Sequence, residues 1–243
     1  MSHPDPDLLQ TAPAAVRPPM CPDAAFSLGT TVHFFRGDDY FCWDIVDETM
    51  LPGFPRSIDA DWPGLRAAAP GKRLRAALHV APWGPVVHFL FEGEREFVAW
   101  NLESRRVEGR RPVQALLPSA LTAGDFTPVS AQSRDGNPVV YGFAKYDYTR
   151  WSVQGPAPAH EDAGYPKRID GDWKEGLTLG PRAGVYVDWP SRSTAHSNRK
   201  IYFFMGHLYL RWDVPSHSRN YRMDILAGWK GWPMPALVEP RQG

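Results

Sequence analysis

The sequence contains only two cysteines, Cys21 and Cys42, in 243 residues, and no Asn-x-Ser/Thr sequon. It therefore lacks the signature of a disulfide-stapled, glycosylated secreted domain. Residues 1–20 have no basic segment followed by an apolar one, and no window approaches the about eighteen consecutive apolar residues of a membrane-spanning helix. These absences predict a cytoplasmic protein that does not enter a membrane and keeps its thiols free.

An excess of charge is also missing, because 27 Lys and Arg residues balance 27 Asp and Glu residues. Binding to nucleic acid requires a concentrated basic face, so a nucleic-acid partner is not expected. The common catalytic signatures are missing too: there is no His-Glu-x-x-His, no Gly-x-Ser-x-Gly, no Cys-x-x-Cys pair and no phosphate-binding glycine loop. Any enzyme activity would have to come from scattered residues, and no residue set has the spacing of a metal site.

Aromatic residues are abundant, with 10 Trp, 9 Tyr and 12 Phe, beside 25 Pro and 21 Gly. Aromatics favour strands, whereas Pro and Gly interrupt helices and mark turns, so the composition predicts an all-β protein of short strands. Residues 1–20 contain five prolines and few large apolar side chains. We expect them to form a flexible leader ahead of a folded unit at 21–243.

The chain repeats itself four times. The segment TVHFFRGDDYFCWD at 31–44 returns as KIYFFMGHLYLRWD at 200–213, with a third copy at 139–152 and a weaker one at 87–101. Each copy predicts a hairpin that ends in a tryptophan, and these tryptophans are 51 to 61 residues apart. This distance accommodates one four-stranded sheet with its loops. The anchors are Trp43, Trp100, Trp151 and Trp212.

Two further pieces recur around each hairpin. GFPRSIDADWPGL at 53–65 returns as GYPKRIDGDWKEGL at 164–177, with echoes near Arg111 and Pro112 and at GWP, 231–233. Before the hairpins lie DAAF, RAAL and RAGV, and a less certain copy at 124–127. Small residues suit strands that crowd around a common axis, so these pieces are predicted to be the innermost strands.

The combination of an Asp-Ala-Ala strand, an aromatic hairpin and a Gly-aromatic-Pro turn resembles the hemopexin-like repeat, over roughly residues 22–238. The resemblance implies a four-bladed β-propeller around a central tunnel. In secreted animal members a disulfide closes the ring, but the last repeat of this chain has no cysteine. The chain therefore resembles the stand-alone members more closely, and these are thought to bind small ligands. Blades are expected at 22–68, 72–118, 121–178 and 181–238.

The start of the inner strands departs from the family pattern. Asp23 is the usual residue, whereas the second and fourth copies carry Arg75 and Arg182, with Asp125 as the suggested counterpart in the third. The resemblance implies a cation in the tunnel, which two arginines would weaken; guanidinium groups would instead bind an anion or a carboxylate. The alternative is that these four residues form a structural ion-pair ring.

Histidines and tryptophans could complete a ligand site in the same region. His79 aligns with Tyr186, and His33 aligns with tyrosines in two other copies. Imidazole can bind a metal or haem iron, although a histidine in place of a tyrosine is also explained by packing alone. Trp83 and Trp189 follow the second and fourth inner strands and could wall a pocket.

Three functions remain open. The first is a binding module, as a monomer or homodimer, for a haem-like, aromatic or carboxylated small molecule at the tunnel mouth or a blade face. The second is a cofactor-independent enzyme of secondary metabolism, a pericyclase of the hetero-Diels-Alder type, which needs only an apolar pocket and Arg, His or Tyr donors. The third is a docking platform that uses the faces of the disc.

Overall fold

The computed structural model describes residues 20–119, 126–173, 177–189, 198–214, 216 and 218–234. Most of the leader predicted at 1–20 lies outside these residues. The described chain forms four small antiparallel sheets, the blades of a β-propeller. The predicted fold class is therefore confirmed.

Each blade is built in chain order from the tunnel outward. Blade one contains β1 Ala24–Leu28, β2 Thr31–Arg36, β3 Asp39–Asp44, β4 Thr49–Met50 and β5 Arg56–Ser57. Blade two contains β6 Leu74–His79, β7 Val86–Phe91, β8 Glu96–Asn101 and β9 Arg106–Pro112. Blade three contains β10 Thr127–Gln132, β11 Pro138–Phe143, β12 Asp147–Ser152, β13 His160–Glu161 and β14 Lys167–Arg168. Blade four contains β15 Ala183–Val187, β16 Lys200–Met205, β17 Leu208–Asp213 and β18 Ser218–Asp224.

One short helix follows the outer strand of each blade. The four are α1 Ile58–Asp61, α2 Val113–Leu116, α3 Ile169–Asp172 and α4 Ile225–Gly228, and a 3-10 turn lies at Ala81–Trp83. The first residue of each α-helix is buried and anchors the helix to the blade below it. In the described part of the chain, no helix is long and apolar enough to span a membrane.

The hydrophobic core lies between neighbouring blades. Four clusters of buried side chains join blade four to one, one to two, two to three and three to four. The predicted repeat anchors Trp43, Trp100, Trp151 and Trp212 are all at most 3% exposed, so their assignment to the core is confirmed. Burial of aromatic area between blades is the main source of stability in this arrangement.

The inner strands β1, β6, β10 and β15 pack against one another around the axis. A Cβ added to Gly184 would lie 2.6 Å from Cγ2 of Val129 in the neighbouring inner strand. The predicted need for small residues at this position is therefore confirmed, since a larger side chain has no room.

The ring closes without a disulfide. Cys21 and Cys42 are both free and buried, as predicted. Instead, the indole Nε1 of Trp232 donates to the carbonyl of Met20 at 3.1 Å, and Arg36 Nη2 donates to the carbonyl of Pro233 at 2.6 Å. The end of blade four is thereby fastened to the start of blade one.

Strand register corrects two details of the repeat. The helix of blade four ends at Trp229, which is the counterpart of Trp62 and Trp173. The predicted echo at 231–233 is thus wrong, because that segment lies after the helix rather than before it.

The second correction concerns the start of the third inner strand. In each blade, one residue near the start of the inner strand pairs with the equivalent position of the second strand. These residues are Ala24, Ala76, Thr127 and Ala183. The residues before them are equivalent, so Phe126 is the counterpart of Asp23. Asp125, the residue suggested from the sequence, lies outside the described residues.

Candidate functional site

The predicted site residues lie at two different ends of the tunnel. Arg182 of blade four bonds to Asp23 of blade one at the starts of their inner strands, whereas Ser27 Oγ donates to the carbonyl of Tyr186 at 2.6 Å at their ends. The inner strands thus run in the same direction. Four residues of strand separate the two levels by about 13 Å. The two ends are called the entrance, with Asp23, and the mouth, with Tyr186.

At the entrance, one buried carboxylate is shared by several donors. Arg182 Nη2 lies 2.8 Å from Asp23 Oδ1, and Arg73 Nη2 lies 3.3 Å from the same oxygen. The other oxygen accepts the backbone N–H of Gly37 at 2.8 Å. Arg182 also reaches Glu92 Oε1 at 3.3 Å. Of the four residues in the hypothetical ion-pair ring, Asp23 and Arg182 form an ion pair here, Arg73 and Glu92 extend it, and Asp125 lies outside the described residues.

Arg75 is held inside the tunnel wall. Its Nη1 donates to Thr127 Oγ1 at 3.2 Å and to the carbonyl of Arg182 at 3.1 Å, and only 8% of the residue is exposed. The Thr127 hydroxyl in turn donates to the carbonyl of Pro181 at 2.7 Å. Arg75 and Thr127 therefore tie blades two, three and four together at the entrance.

The cation that the family resemblance implies for the tunnel does not fit this entrance. Two guanidinium groups, from Arg73 and Arg182, bond to the Asp23 carboxylate, and both of its oxygens already accept hydrogen bonds. A third guanidinium, from Arg75, bonds to the backbone carbonyl of Arg182. Their positive charge would repel a metal ion. Across the described residues, no cluster of three His, Cys, Asp or Glu side chains has the geometry of a metal site.

The mouth carries a ring of four equivalent residues. The four residues, one from each blade, pair with equivalent positions of the second strand. The pairs are Ser27 with Val32, His79 with Val87, Ser130 with Val140 and Tyr186 with Ile201. All four line one cavity of about 310 Å³, together with Gln132 and Asp188. Because the position recurs by four-fold repetition, the ring presents four polar side chains to the same space.

Two groups of this ring are electrostatically distinctive. The Tyr186 hydroxyl is buried and makes no hydrogen bond of regular geometry among the described residues, although the Asp188 carboxylate lies close enough to attract its proton. Burial and this carboxylate raise the pKa of Tyr186, so the hydroxyl stays protonated. Burial lowers the pKa of His79, although hydrogen bonds to the backbone of Ser27 and Gly84 oppose that shift. At neutral pH the mouth thus offers a neutral imidazole and a phenol beside a carboxylate.

Haem iron does not fit the mouth. An axial ligand needs a ring nitrogen that faces open space, and the His79 ring is hydrogen-bonded to the backbone on the tunnel wall. The cavity also lies near the lower limit of about 300 to 1,000 Å³ for organic ligand pockets. The arrangement suits a small molecule with hydrogen-bonding groups.

The remaining predicted site residues lie away from the cavity. His33 lies in β2, where its ring stacks on Phe26 with centroids 4.8 Å apart. Trp83 packs edge-on against His88 at 5.7 Å. Trp189 packs against the cluster between blades four and one.

His88 was missed by the repeat alignment. Register shows that His33, His88, Tyr141 and Tyr202 are equivalent, since they pair with Phe26, Leu78, Val129 and Val185. The second hairpin needs a one-residue adjustment in its turn. Aligning upstream of that turn on Val86–Phe91 as a buried strand would have found this histidine.

Comparisons with known proteins agree with this architecture. The Hemopexin family model matches residues 22–67, which correspond to blade one and the start of the following connection. No curated protein matches the chain.

Several solved plant proteins have the same fold. A hemopexin-fold protein from cow pea is 18% identical, covers 87% of this chain and 96% of its own, and gives a TM-score of 0.60. A seed albumin from Lathyrus sativus is 15% identical, covers 87% of this chain and 96% of its own, and gives a TM-score of 0.63. A plant lectin with two metal-binding sites, from Cicer arietinum, is 15% identical, covers 86% of this chain and 95% of its own, and gives a TM-score of 0.62. Together with the matched repeat, these similarities identify the chain as a hemopexin-like four-bladed β-propeller.

Proposed function

We propose that this propeller binds a small organic molecule at the tunnel mouth, and that the molecule carries an amine or hydroxyl group. The observation that carries the proposal is that the buried Tyr186 hydroxyl and the Asp188 carboxylate lie side by side in the cavity lining, and the hydroxyl makes no hydrogen bond of regular geometry among the described residues. A buried hydroxyl without a well-aligned partner costs up to about 1 to 3 kcal/mol. A ligand group that bonds to both side chains would recover that cost.

The charge of the lining selects the ligand class. Asp188 is the charged side chain among the residues that line the mouth, while Arg75 and Arg182 lie at the entrance. A carboxylated ligand would meet Asp188 in the lining, whereas Arg199 is near enough to lower the pKa of Tyr186 but does not line the cavity. The preference expected from the sequence therefore shifts toward a donor group. An ammonium group beside Asp188 would form a charge-assisted hydrogen bond.

The polar ring fixes how such a ligand would be oriented. Ser27 and Ser130 present hydroxyl groups and Gln132 an amide, whereas Leu28, Val80 and Pro82 contribute apolar surface. A few polar groups in a largely apolar cavity are typical of small-molecule sites. The pericyclase hypothesis asks the same cavity to hold two reactants, and about 310 Å³ favours a single small ligand.

Calorimetric titration with 1,4-diaminobutane tests the proposal. We expect binding that weakens about tenfold in Asp188→Asn, because one charge-assisted hydrogen bond is lost. Tyr186→Phe should weaken it about three- to tenfold. Asp147→Asn, which removes a half-exposed carboxylate on blade three, is the matched control and should leave affinity unchanged. Equal binding to Asp188→Asn and to the wild type would refute the assignment of the ligand to the mouth.

A further inference from the structure

A second cleft lies between blades one and two, away from the tunnel. It has a volume of about 480 Å³ and is open to solvent. Its polar lining comes from His33, Arg56, Asp61 and Arg105. Trp62 and Trp100, which are 4% and 3% exposed, contribute only the edges of their rings to its floor. The cleft thus combines cationic side chains with a small apolar floor.

Smaller residues stand beside this cleft than at the equivalent positions of two other blades. Blade three has Tyr141 and Arg150 there, and blade four has Tyr202 and Arg211. Blade one has His33 and Cys42. Blade two also has a small pair, His88 and Ala99, but both are buried, so the cleft in blade one depends on its surroundings as well as on this pair.

Positive charge is in excess in the cleft. Arg56 Nε lies 2.9 Å from Asp61 Oδ2, and Arg105 Nη2 lies 3.9 Å from Asp61 Oδ1. The same carboxylate also accepts the Tyr40 hydroxyl at 2.5 Å. A single carboxylate therefore pairs with two guanidinium groups. The side chain of Arg56 is 49% exposed and that of Arg105 is 63% exposed. Each guanidinium carries five N–H donors, so several remain for an anion.

His33 supplies a further donor. Its Nδ1 lies 3.2 Å from Cys42 Sγ. Burial raises the pKa of the Cys42 thiol to about 12, so the sulfur keeps its proton and can donate it to Nδ1. Burial also lowers the pKa of His33 to about 4, so the ring is neutral and carries a single proton. When the thiol donates to Nδ1, that proton is on Nε2 and this N–H is left for an acceptor.

We propose that this cleft is a binding site for a small aromatic carboxylate. The carboxylate would bond to Arg56 and Arg105, the His33 N–H would donate to the same anion, and the ring would contact the exposed edges of Trp62 and Trp100. Guanidinium forks match carboxylate geometry, and edge-to-face aromatic contact adds to the binding. The site is separate from the tunnel mouth and does not depend on the ligand proposed there.

Titration of the full chain with 1-naphthoate, followed by calorimetry, tests the proposal. We expect saturable binding that falls about tenfold in Arg56→Gln and about tenfold in Arg105→Gln, since each removes a charge-assisted contact. Lys167→Gln is the matched control. Lys167 occupies the place of Arg56 in blade three and pairs with Asp172 at 3.4 Å, so this variant should bind like the wild type.

Two further comparisons separate this site from general hydrophobic binding. The neutral analogue 1-naphthylmethanol should bind at least tenfold more weakly than 1-naphthoate. His33→Tyr, which restores the residue of blades three and four, should fill the cleft and abolish binding while the circular dichroism spectrum is retained. Asp188→Asn should bind 1-naphthoate normally. Equal affinity for the neutral analogue, or unchanged affinity in both arginine variants, would overturn the proposal.

Discussion

Arg182 Nη2 lies 2.8 Å from Asp23 Oδ1, and this contact joins blade four to blade one although the residues are 159 positions apart. The Asp23 side chain is 5% exposed and also accepts bonds from Arg73 and Gly37. The contact closes the ring at the tunnel entrance. It takes the place of a covalent link between the first and last blades, because both cysteines are free.

Asp23→Asn should therefore destabilise the propeller. Removing one partner of a buried ion pair costs about 3 to 5 kcal/mol, and we expect about 2 kcal/mol here because Arg182 is 32% exposed and solvent screens its charge. The free energy of unfolding is measured with urea. Asp170→Asn, in a pair that is more than half exposed, should change it by less than about 0.5 kcal/mol. A similar small change in Asp23→Asn would contradict a structural role for the entrance network.

Much of this arrangement could be predicted from the sequence, because repetition places equivalent residues in equivalent environments. The aromatic hairpin anchors and the alignment of His79 with Tyr186 follow directly from the aligned copies. The separation of Arg182 from Tyr186 could not be predicted in this way. It depends on the shared direction of the inner strands and on their spacing along the tunnel, which are properties of the assembled ring.

Uncertain strand register is the second reason why parts of the structure could not be predicted from the sequence. A shift of one residue changes the face on which every side chain of a strand lies. The one-residue adjustment in the second hairpin therefore concealed His88, and the unclear start of the third inner strand suggested Asp125 in place of Phe126. The pairing of Cys42 with His33 also became visible only when β2 and β3 were in register.

Gly184→Ala should test the crowding of the inner strands. The added methyl group would lie 2.6 Å from Val129 Cγ2, closer than the packed strands allow. Overpacking of this kind costs about 1 to 3 kcal/mol. Gly155→Ala is the control, since its Cβ would meet nothing within 4 Å, and thermal unfolding should distinguish the two variants. Equal melting temperatures would show that the inner strands can separate at little cost.

His88→Phe should stabilise the protein, most strongly in acid. His88 is 2% exposed, and neither ring nitrogen makes a hydrogen bond of regular geometry among the described residues, although the nearby Leu78 backbone partly opposes the lowering of its pKa. Burial lowers the pKa of His88 from 6.5 to about 4, and nearby Arg111 acts in the same direction. The unfolded chain therefore binds a proton first as the pH falls. Stability that is present above pH 6.5 is lost progressively toward pH 4, by about 3 kcal/mol for this group.

Urea unfolding at pH 7 and at pH 4.5 measures this difference. In the wild type the free energy of unfolding should fall between the two values, and in His88→Phe the fall should be smaller by about 2 kcal/mol. His207→Phe, in an exposed turn between β16 and β17, should keep the dependence of the wild type. An unchanged pH dependence in His88→Phe would mean that this imidazole is solvated or protonated in the native state.

Trp232→Ala should weaken the junction at which the chain closes on itself. The indole packs against Phe34 and Phe41 of blade one, with ring centroids 4.9 and 4.8 Å apart, and donates to the carbonyl of Met20. Deleting a buried aromatic ring costs about 3 to 5 kcal/mol. Blade one should also lose protection against amide hydrogen exchange before blade three does, because its contacts with blade four are cut first. Met234→Ala, at a side chain that is 66% exposed, is the control; uniform loss of protection in all four blades would argue that the propeller opens as one cooperative unit.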